Sequence, residues 1–143
     1  MTVKQISVFV ENKPGKLAEL TNVLHQHEID MRALSIAEAE DFGVVRIIVN
    51  DSYNTACVLK DAGYILSVTP VLAAAIDDKP GALDAILDIL GEADINLEYT
   101  YAFLGRVHGK AYMIMRVSDN EKAVEVLSDK GVRLYDQNDL ENL

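Results

Sequence analysis

The chain is short of most features that mark a specialised protein. Its 143 residues include one cysteine, three prolines and no tryptophan. A single thiol excludes an internal disulfide and any CxxC metal or redox centre. Cys57 falls beside Val58 and Leu59 in an expected helix and is read as a buried structural thiol, not a nucleophile. Positive charge is scarce: 13 Lys and Arg face 23 Asp and Glu, a formal net charge of −10. Nucleic-acid backbones and acidic membrane surfaces are both held by Lys and Arg, so neither is an expected partner. No apolar run approaches the ~18 residues of a membrane span; the longest candidate is Val71 to Ile76. Residues 1–15 lack the apolar core of a signal peptide, which predicts a cytoplasmic protein. Catalytic constellations are missing too. His25 and His27 fall in the last turn of an expected helix, and His108 in a hairpin turn, without metal-ligand spacing. No Ser/His/Asp arrangement or phosphate-type glycine loop is present. The expectation is a protein that is not an enzyme and needs no metal or cofactor.

What is present is a duplication. Asn12-Lys13-Pro14-Gly15-Lys16-Leu17 returns 66 positions later as Asp78-Lys79-Pro80-Gly81-Ala82-Leu83. Leu20 then matches Ile86, Leu24 matches Leu90, Ile29 matches Ile95 and Gly43 matches Gly109. After a drift of two, Asp51 matches Asp119, Leu59 matches Leu127 and Gly63 matches Gly131. Half of the residues are apolar and a quarter charged, which is globular composition. The repeat predicts two similar units, residues 1–69 and 70–136, followed by a polar tail, 137–143. Units this small bury little surface alone, so the halves are expected to pack on each other and on a second chain.

Each copy reads as strand, Pro-Gly turn, helix, hairpin, helix, strand. Val3 to Val10 alternates and is rich in β-branched residues. A helix from about Pro14 to His27 carries Leu17, Leu20 and Leu24 on one face. Strands at about Asp30 to Ala39 and Val44 to Val49 flank a polar turn, and Asn50, Asp51 and Ser52 offer a cap for a helix at about Tyr53 to Ala62. A fourth strand from Tyr64 to Thr69 is punctuated by Pro70. The second copy follows with a strand at Val71 to Ile76 and a helix with Leu83, Ile86, Leu87 and Leu90 on one face. Strands from Asn96 to Gly105 and Gly109 to Val117, a capped helix from Glu121 to Lys130 and a strand from Val132 to Tyr135 complete it. The polar stretch from Gln137 onward is expected to fray. The fold class is α+β: two ferredoxin-like βαββαβ units packed side by side, each a four-stranded antiparallel sheet with helices on one face. In the second unit, Tyr99, Tyr101 and Phe103 then stand on the helix-free face, as a docking surface for a partner or second chain. A register error of one residue would make them core instead.

A tight Pro-Gly turn at a helix start aims unpaired amide hydrogens into the loop, where the helix dipole adds positive character. Such a corner suits a carboxylate. Asn12 with Asp30, and Asp78 with Asn96, supply acceptor oxygens in swapped order, which suit an ammonium. A small molecule with both groups is an α-amino acid. The same polar residues commonly cap helices or form local turns, and that reading stays open.

The pattern E-N-K-P-G-K-L-A-E-L…I-D-M, with its twin D-D-K-P-G-A-L-D-A-I…I-N-L, resembles a tandem pair of ACT domains over residues 3–69 and 71–136. ACT domains are amino-acid-sensing modules of enzymes such as phosphoglycerate dehydrogenase, aspartokinase and the acetolactate synthase small subunit. They often pair into an eight-stranded sheet with effectors at the interface, near the first strand-to-helix loop. The resemblance implies ligand contacts at Asn12, Pro14, Gly15, Lys16 and Leu17, and at Asp78, Pro80, Gly81, Ala82 and Leu83. It also implies that Asp30 and Met31, and Asn96 and Leu97, are offered to the ligand by a neighbouring domain. The loop Asn of serine-binding members is kept as Asn12 but replaced by Asp78, and Val10 and Ile76 stand where that subgroup has a polar residue. The two sites need not be equivalent. The implied function is a non-catalytic sensor, in homodimeric form, that binds a free amino acid and modulates an enzyme of amino-acid metabolism. The alternative is a structural, oligomerising module that docks on an enzyme without binding ligand.

Overall fold

The structure, a computed structural model, describes residues 1–103, 105 and 107–142. Leu104, inside the strand expected to end at Gly105, and Leu143, at the end of the expected tail, lie outside the described residues. Contacts divide the chain into two compact units: Lys4–Thr69, and Pro70–Leu143 together with Met1–Val3.

In the N-terminal unit the elements run β1 (Val3–Glu11), α1 (Lys16–Gln26), β2 (Met31–Glu38), β3 (Phe42–Val49) and α2 (Ser52–Asp61), ending on the first residues of β4 (Leu66–Asp77). The sheet order is β2-β3-β1-β4, the ferredoxin-like arrangement. Strand β1 pairs antiparallel with β3, Ile6 opposite Ile47 and Glu11 opposite Phe42. Ile6, Val8 and Val10 therefore share a face with Val45, Ile47 and Val49, and that face is buried against Leu20 and Leu24 of α1 and Leu59 of α2. Complete burial of each such side chain contributes about 1.5–3 kcal/mol, and the period-2 strand stripe and period-3.6 helix stripe are what allow the two layers to close.

The C-terminal unit repeats the plan with the remainder of β4, then α3 (Ala82–Glu92), β5 (Leu97–Phe103), β6 (Lys110–Val117), α4 (Asn120–Asp129), β7 (Arg133–Tyr135) and α5 (Gln137–Glu141). Its order is β7-β4-β6-β5. Leu72 and Ala74 of β4 and Met115 and Val117 of β6 pack on Ile86 and Leu90 of α3 and Ala123 and Leu127 of α4. The helix caps follow the sequence reading. The Asp51 carboxylate accepts the Asn54 amide and the Asp119 carboxylate the Lys122 amide, each at 3.0 Å.

Several expectations are corrected. The break at Pro70 does not occur, because β4 is one strand through it. Proline's fixed φ is compatible with extended chain, and it is tolerated where no ladder bond needs its missing N–H; its carbonyl accepts Asn120 Nδ2 at 3.2 Å. Tyr64 precedes that strand, its N–H donating to the Leu59 carbonyl at 3.0 Å to close α2. Cys57 is exposed, since α2 buries Ser52, Thr55, Ala56 and Leu59, a face that residue 57 does not share. Leu87 is 40% exposed, leaving Ile86 and Leu90 as the buried face of α3. The frayed tail is instead α5. Asp136 and Asp139 form a reciprocal capping box, and Leu140 is only 1% exposed. Polarity misled because Asp139 caps and Asn138 is exposed, while one leucine anchors the turn. Among the described residues, no helix is long and apolar enough to cross a membrane.

The anchored α5 gives a direct test. Leu140→Ala is expected to destabilise the protein by about 2–5 kcal/mol and Asp136→Ala by ~1 kcal/mol, read by urea unfolding. A frayed tail would return no loss from either.

Candidate functional site: the two strand-to-helix loops

Both loops have the same hydrogen-bonded backbone. After β1, the Asn12 N–H donates to the Asp41 carbonyl at 3.1 Å and the Lys16 N–H to the Lys13 carbonyl at 3.3 Å. Gly15 has φ 83° and ψ −12°. After β4, the Asp78 N–H donates to the Gly109 carbonyl at 3.0 Å and the Ala82 N–H to the Lys79 carbonyl at 3.3 Å. Gly81 has φ 88° and ψ −9°. Proline second, glycine third in the left-handed region and a bond from the fourth N–H to the first carbonyl define a type II turn. Here the structure revises the expectation of a helix starting near Pro14. Pro14 and Pro80 serve the turn, and each helix begins two residues later, after a glycine N-cap.

Neither glycine N-cap is supplemented by a side-chain cap. Among the described residues, no acceptor takes the amides of Leu17 and Ala18, or of Leu83 and Asp84. A Cβ built on Gly15 or Gly81 meets no atom within 4 Å, so the space over each glycine is open. Asn12 does not cap the helix. Its Nδ2 donates to the Ala39 carbonyl at 3.2 Å, tying the loop to the β2–β3 hairpin.

Each loop borders a pocket within its own unit, and the two differ. The N-terminal pocket, about 130 Å³, is lined by Asn12 and Leu17 with Val10, Glu11, Lys13, Ile36, Glu38, Gly43 and Val45. The C-terminal pocket, about 440 Å³, is lined by Pro80, Gly81 and Ala82 with Asp77, Lys79, Lys110, Lys130, Gly131 and Val132 among others. Lys110 Nζ lies 2.6 Å and Lys79 Nζ 3.5 Å from the Asp77 carboxylate. The Lys110 ammonium, with Lys79 behind it, holds the Asp77 carboxyl below the usual carboxylate range, and Asp77 holds Lys110 above the usual lysine range. In the first copy, a hydrogen bond from Lys13 likewise lowers Glu11.

Not every sequence-predicted residue gathers at these pockets. Pro14, Gly15 and Lys16 build the first turn without lining its pocket, and Asp78 and half-buried Leu83 stand beside the second. Asp30 and Met31 lie at the opposite end of their sheet. Met31 pairs with Val49 while Glu11, next to Asn12, pairs with Phe42, seven strand residues or roughly 23 Å away. Asn96 and Leu97 repeat this, Leu97 pairing with Val117 and Asp77 with Lys110. The Asn–Asp couples thus do not meet within a unit, and Asp30 is engaged by Arg32 at 3.2 Å. His27 Nδ1–H donates to the Val23 carbonyl at 2.9 Å, a helix-end role.

Of the three aromatics of β5, register puts Tyr99, Tyr101 and Phe103 opposite Arg116, Ile114 and Tyr112, away from the core residue Met115. They occupy the face opposite α3 and α4. Phe103, however, is 6% exposed and packs on the Tyr112 ring at 5.1 Å, so it is not available for docking. Tyr99 and Tyr101 stack at 6.4 Å and are half-buried. Sequence reasoning missed Lys110 and Lys130. The signal was in the repeat itself, whose aligned positions hold Val44 and Ala62.

Two ferredoxin-like units, each with an uncapped glycine turn, define a duplicated α+β fold. The chain belongs to the ACT domain pair family, which it matches over residues 1–143. It is similar to protein BT0572 from Bacteroides thetaiotaomicron, at 38% identity and a TM-score of 0.93, covering all of this chain and 98% of that one. The regulatory subunit of aspartate kinase from Thermus thermophilus, in ligand-free form, has 13% identity and a TM-score of 0.64, covering 88% of this chain and 90% of its own. Aspartate kinase from Synechocystis aligns at 20% identity and a TM-score of 0.59, over 94% of this chain and 27% of that protein. The two kinase likenesses show the fold alone. No curated protein matches the chain.

Because Asp77 is depressed, its contribution to stability is complete above the ordinary carboxylate value and is lost as pH falls through the lowered one. Lys110, being raised, contributes fully below the ordinary lysine value and loses that contribution as pH rises through its raised one. In a carbon-13 NMR titration, Lys110→Met is expected to move the Asp77 midpoint upward; an unmoved midpoint would mean the pair does not form. Gly81→Ala is expected to cost roughly 1–2 kcal/mol through φ alone, by chemical denaturation.

Proposed function

We propose that the protein is a non-catalytic regulator that binds a free amino acid at its strand-to-helix loops and modulates an enzyme of amino-acid metabolism. The observation that carries this reading is the pair of uncapped glycine turns, each with unpaired first-turn amides and open space over its glycine. Amide hydrogens at a helix start receive a carboxylate. Asn12, Pro14, Gly15, Lys16 and Leu17 form the first site, and Asp78, Pro80, Gly81, Ala82 and Leu83 the second. Membership of the ACT domain pair family supports it, as does a similar fold in a protein named as a regulatory subunit.

The distance from Asn12 to Asp30 supports a homodimer. Asp30 and Met31, or Asn96 and Leu97, complete a site when a second chain supplies them. The protein works in the cytoplasm, where its effector and target are found. Regulation then requires only that the ligand favour one arrangement over another, and a coupling of ~1–3 kcal/mol is enough for a switch.

Thermal shift against the twenty amino acids tests this. A ligand at 100 times its Kd is expected to stabilise by about 2.7 kcal/mol. Gly15→Val and Gly81→Val, each compared with its own ligand-free form, are expected to abolish the shift at the altered loop. Failure of all twenty to shift the protein would favour a docking module that takes no ligand.

A further inference from the structure

The duplicated loops share a backbone but not a charge. Three lysines, Lys79, Lys110 and Lys130, line the C-terminal pocket with one carboxylate, Asp77, and Asp78 stands beside it, leaving an excess of one positive charge. Two of the lysines already divide the Asp77 carboxylate. Lys130 has no carboxylate partner among the described residues. The counterpart in the first copy carries Lys13 against Glu11 and Glu38, with Lys16 beside it, and so has no such excess. A local excess of positive charge in a chain of net charge −10 is not a property of its general surface. An ordinary α-amino acid is a zwitterion whose own charges cancel, so it leaves that excess unanswered. The second pocket also has about 440 Å³, within the usual range for small-molecule sites, whereas 130 Å³ falls below it.

From this we infer that the C-terminal loop pocket selects an amino acid bearing a second anionic group, a side-chain carboxylate or a phosphate, and that the N-terminal loop does not. The inference rests on the proposed amino-acid binding and specifies the ligand class of one of its two sites. The Gly81 turn presents amides to the α-carboxylate. Lys130 and Lys79 border the space where a second anion extends, and the Asp77 oxygen that Lys79 gives up, with Lys110 still on the other, meets the ammonium. Lysine suits this task as a point charge on a flexible stem, accepting either a carboxylate or a phosphate.

The test is calorimetric titration with L-aspartate, L-glutamate and O-phospho-L-serine beside their neutral counterparts L-asparagine, L-glutamine and L-serine. At least one anionic member is expected to bind tenfold or more tightly than its counterpart, with affinity falling as salt is raised. Lys130→Met and Lys79→Met are each expected to remove most of that preference, and Lys130→Met to leave the ligand-free melting temperature unchanged. Which anionic member binds best identifies the side-chain carboxylate or the phosphate as the source. Equal binding of each pair, or a preference that survives both substitutions, would overturn the inference. So would inorganic phosphate alone binding as tightly as the amino acids. Neutral amino acids that bind in a manner abolished by Gly81→Val would overturn this inference alone, whereas no binding by any amino acid would remove the parent reading too.

Discussion

Two glycines in the left-handed region set the geometry on which the remainder of the molecule depends. Gly15 and Gly81 each stand third in a type II turn and directly precede a helix. Any other residue would be strained at those φ values, and an ordinary Ser or Asp cap would place its own oxygen on the first amides. Glycine does neither. The chain turns sharply from strand to helix while the first-turn amides keep their hydrogen-bonding capacity. With glycine at the cap that choice gives up only about a few tenths of a kcal/mol relative to a side-chain cap and leaves the corner open, and the sequence makes it twice. The second helix of each unit does the opposite, with Asp51 and Asp119 as full side-chain caps. The contrast within one chain separates structural helix starts from those left open.

Around this shared frame the two copies have diverged in what surrounds the corner. The first pocket is narrow and bordered by Leu17, Ile36 and Val45 with two glutamates. The second is wider, and lysines from three separate segments converge on it. Backbone is constrained by the hydrogen-bond ladder and by φ, so it persists through duplication. Side chains at a pocket rim carry no such obligation and can be retuned without disturbing either core. The Asp77 and Lys110 pair shows the same freedom. It bridges β4 and β6 at the surface, where salt bridges contribute little to stability but fix which charge faces the opening.

The sequence by itself determined the class of fold, the duplication, the helix caps and the two turns, because each depends on local periodicity or on backbone chemistry within a few residues. Alternation placed Ile6, Val8 and Val10 on the buried face, and Pro-Gly fixed where the chain bends. Tertiary structure alone decided the rest. It carried β4 through Pro70, exposed Cys57, buried Phe103 and folded Gln137–Glu141 into a helix around Leu140. It also sent Asp30 to the far end of the sheet from Asn12 and brought Lys79, Lys110 and Lys130 to one pocket. These outcomes turn on what lies opposite a residue in space, across a ladder or a layer, and no pattern of near neighbours along the chain encodes that.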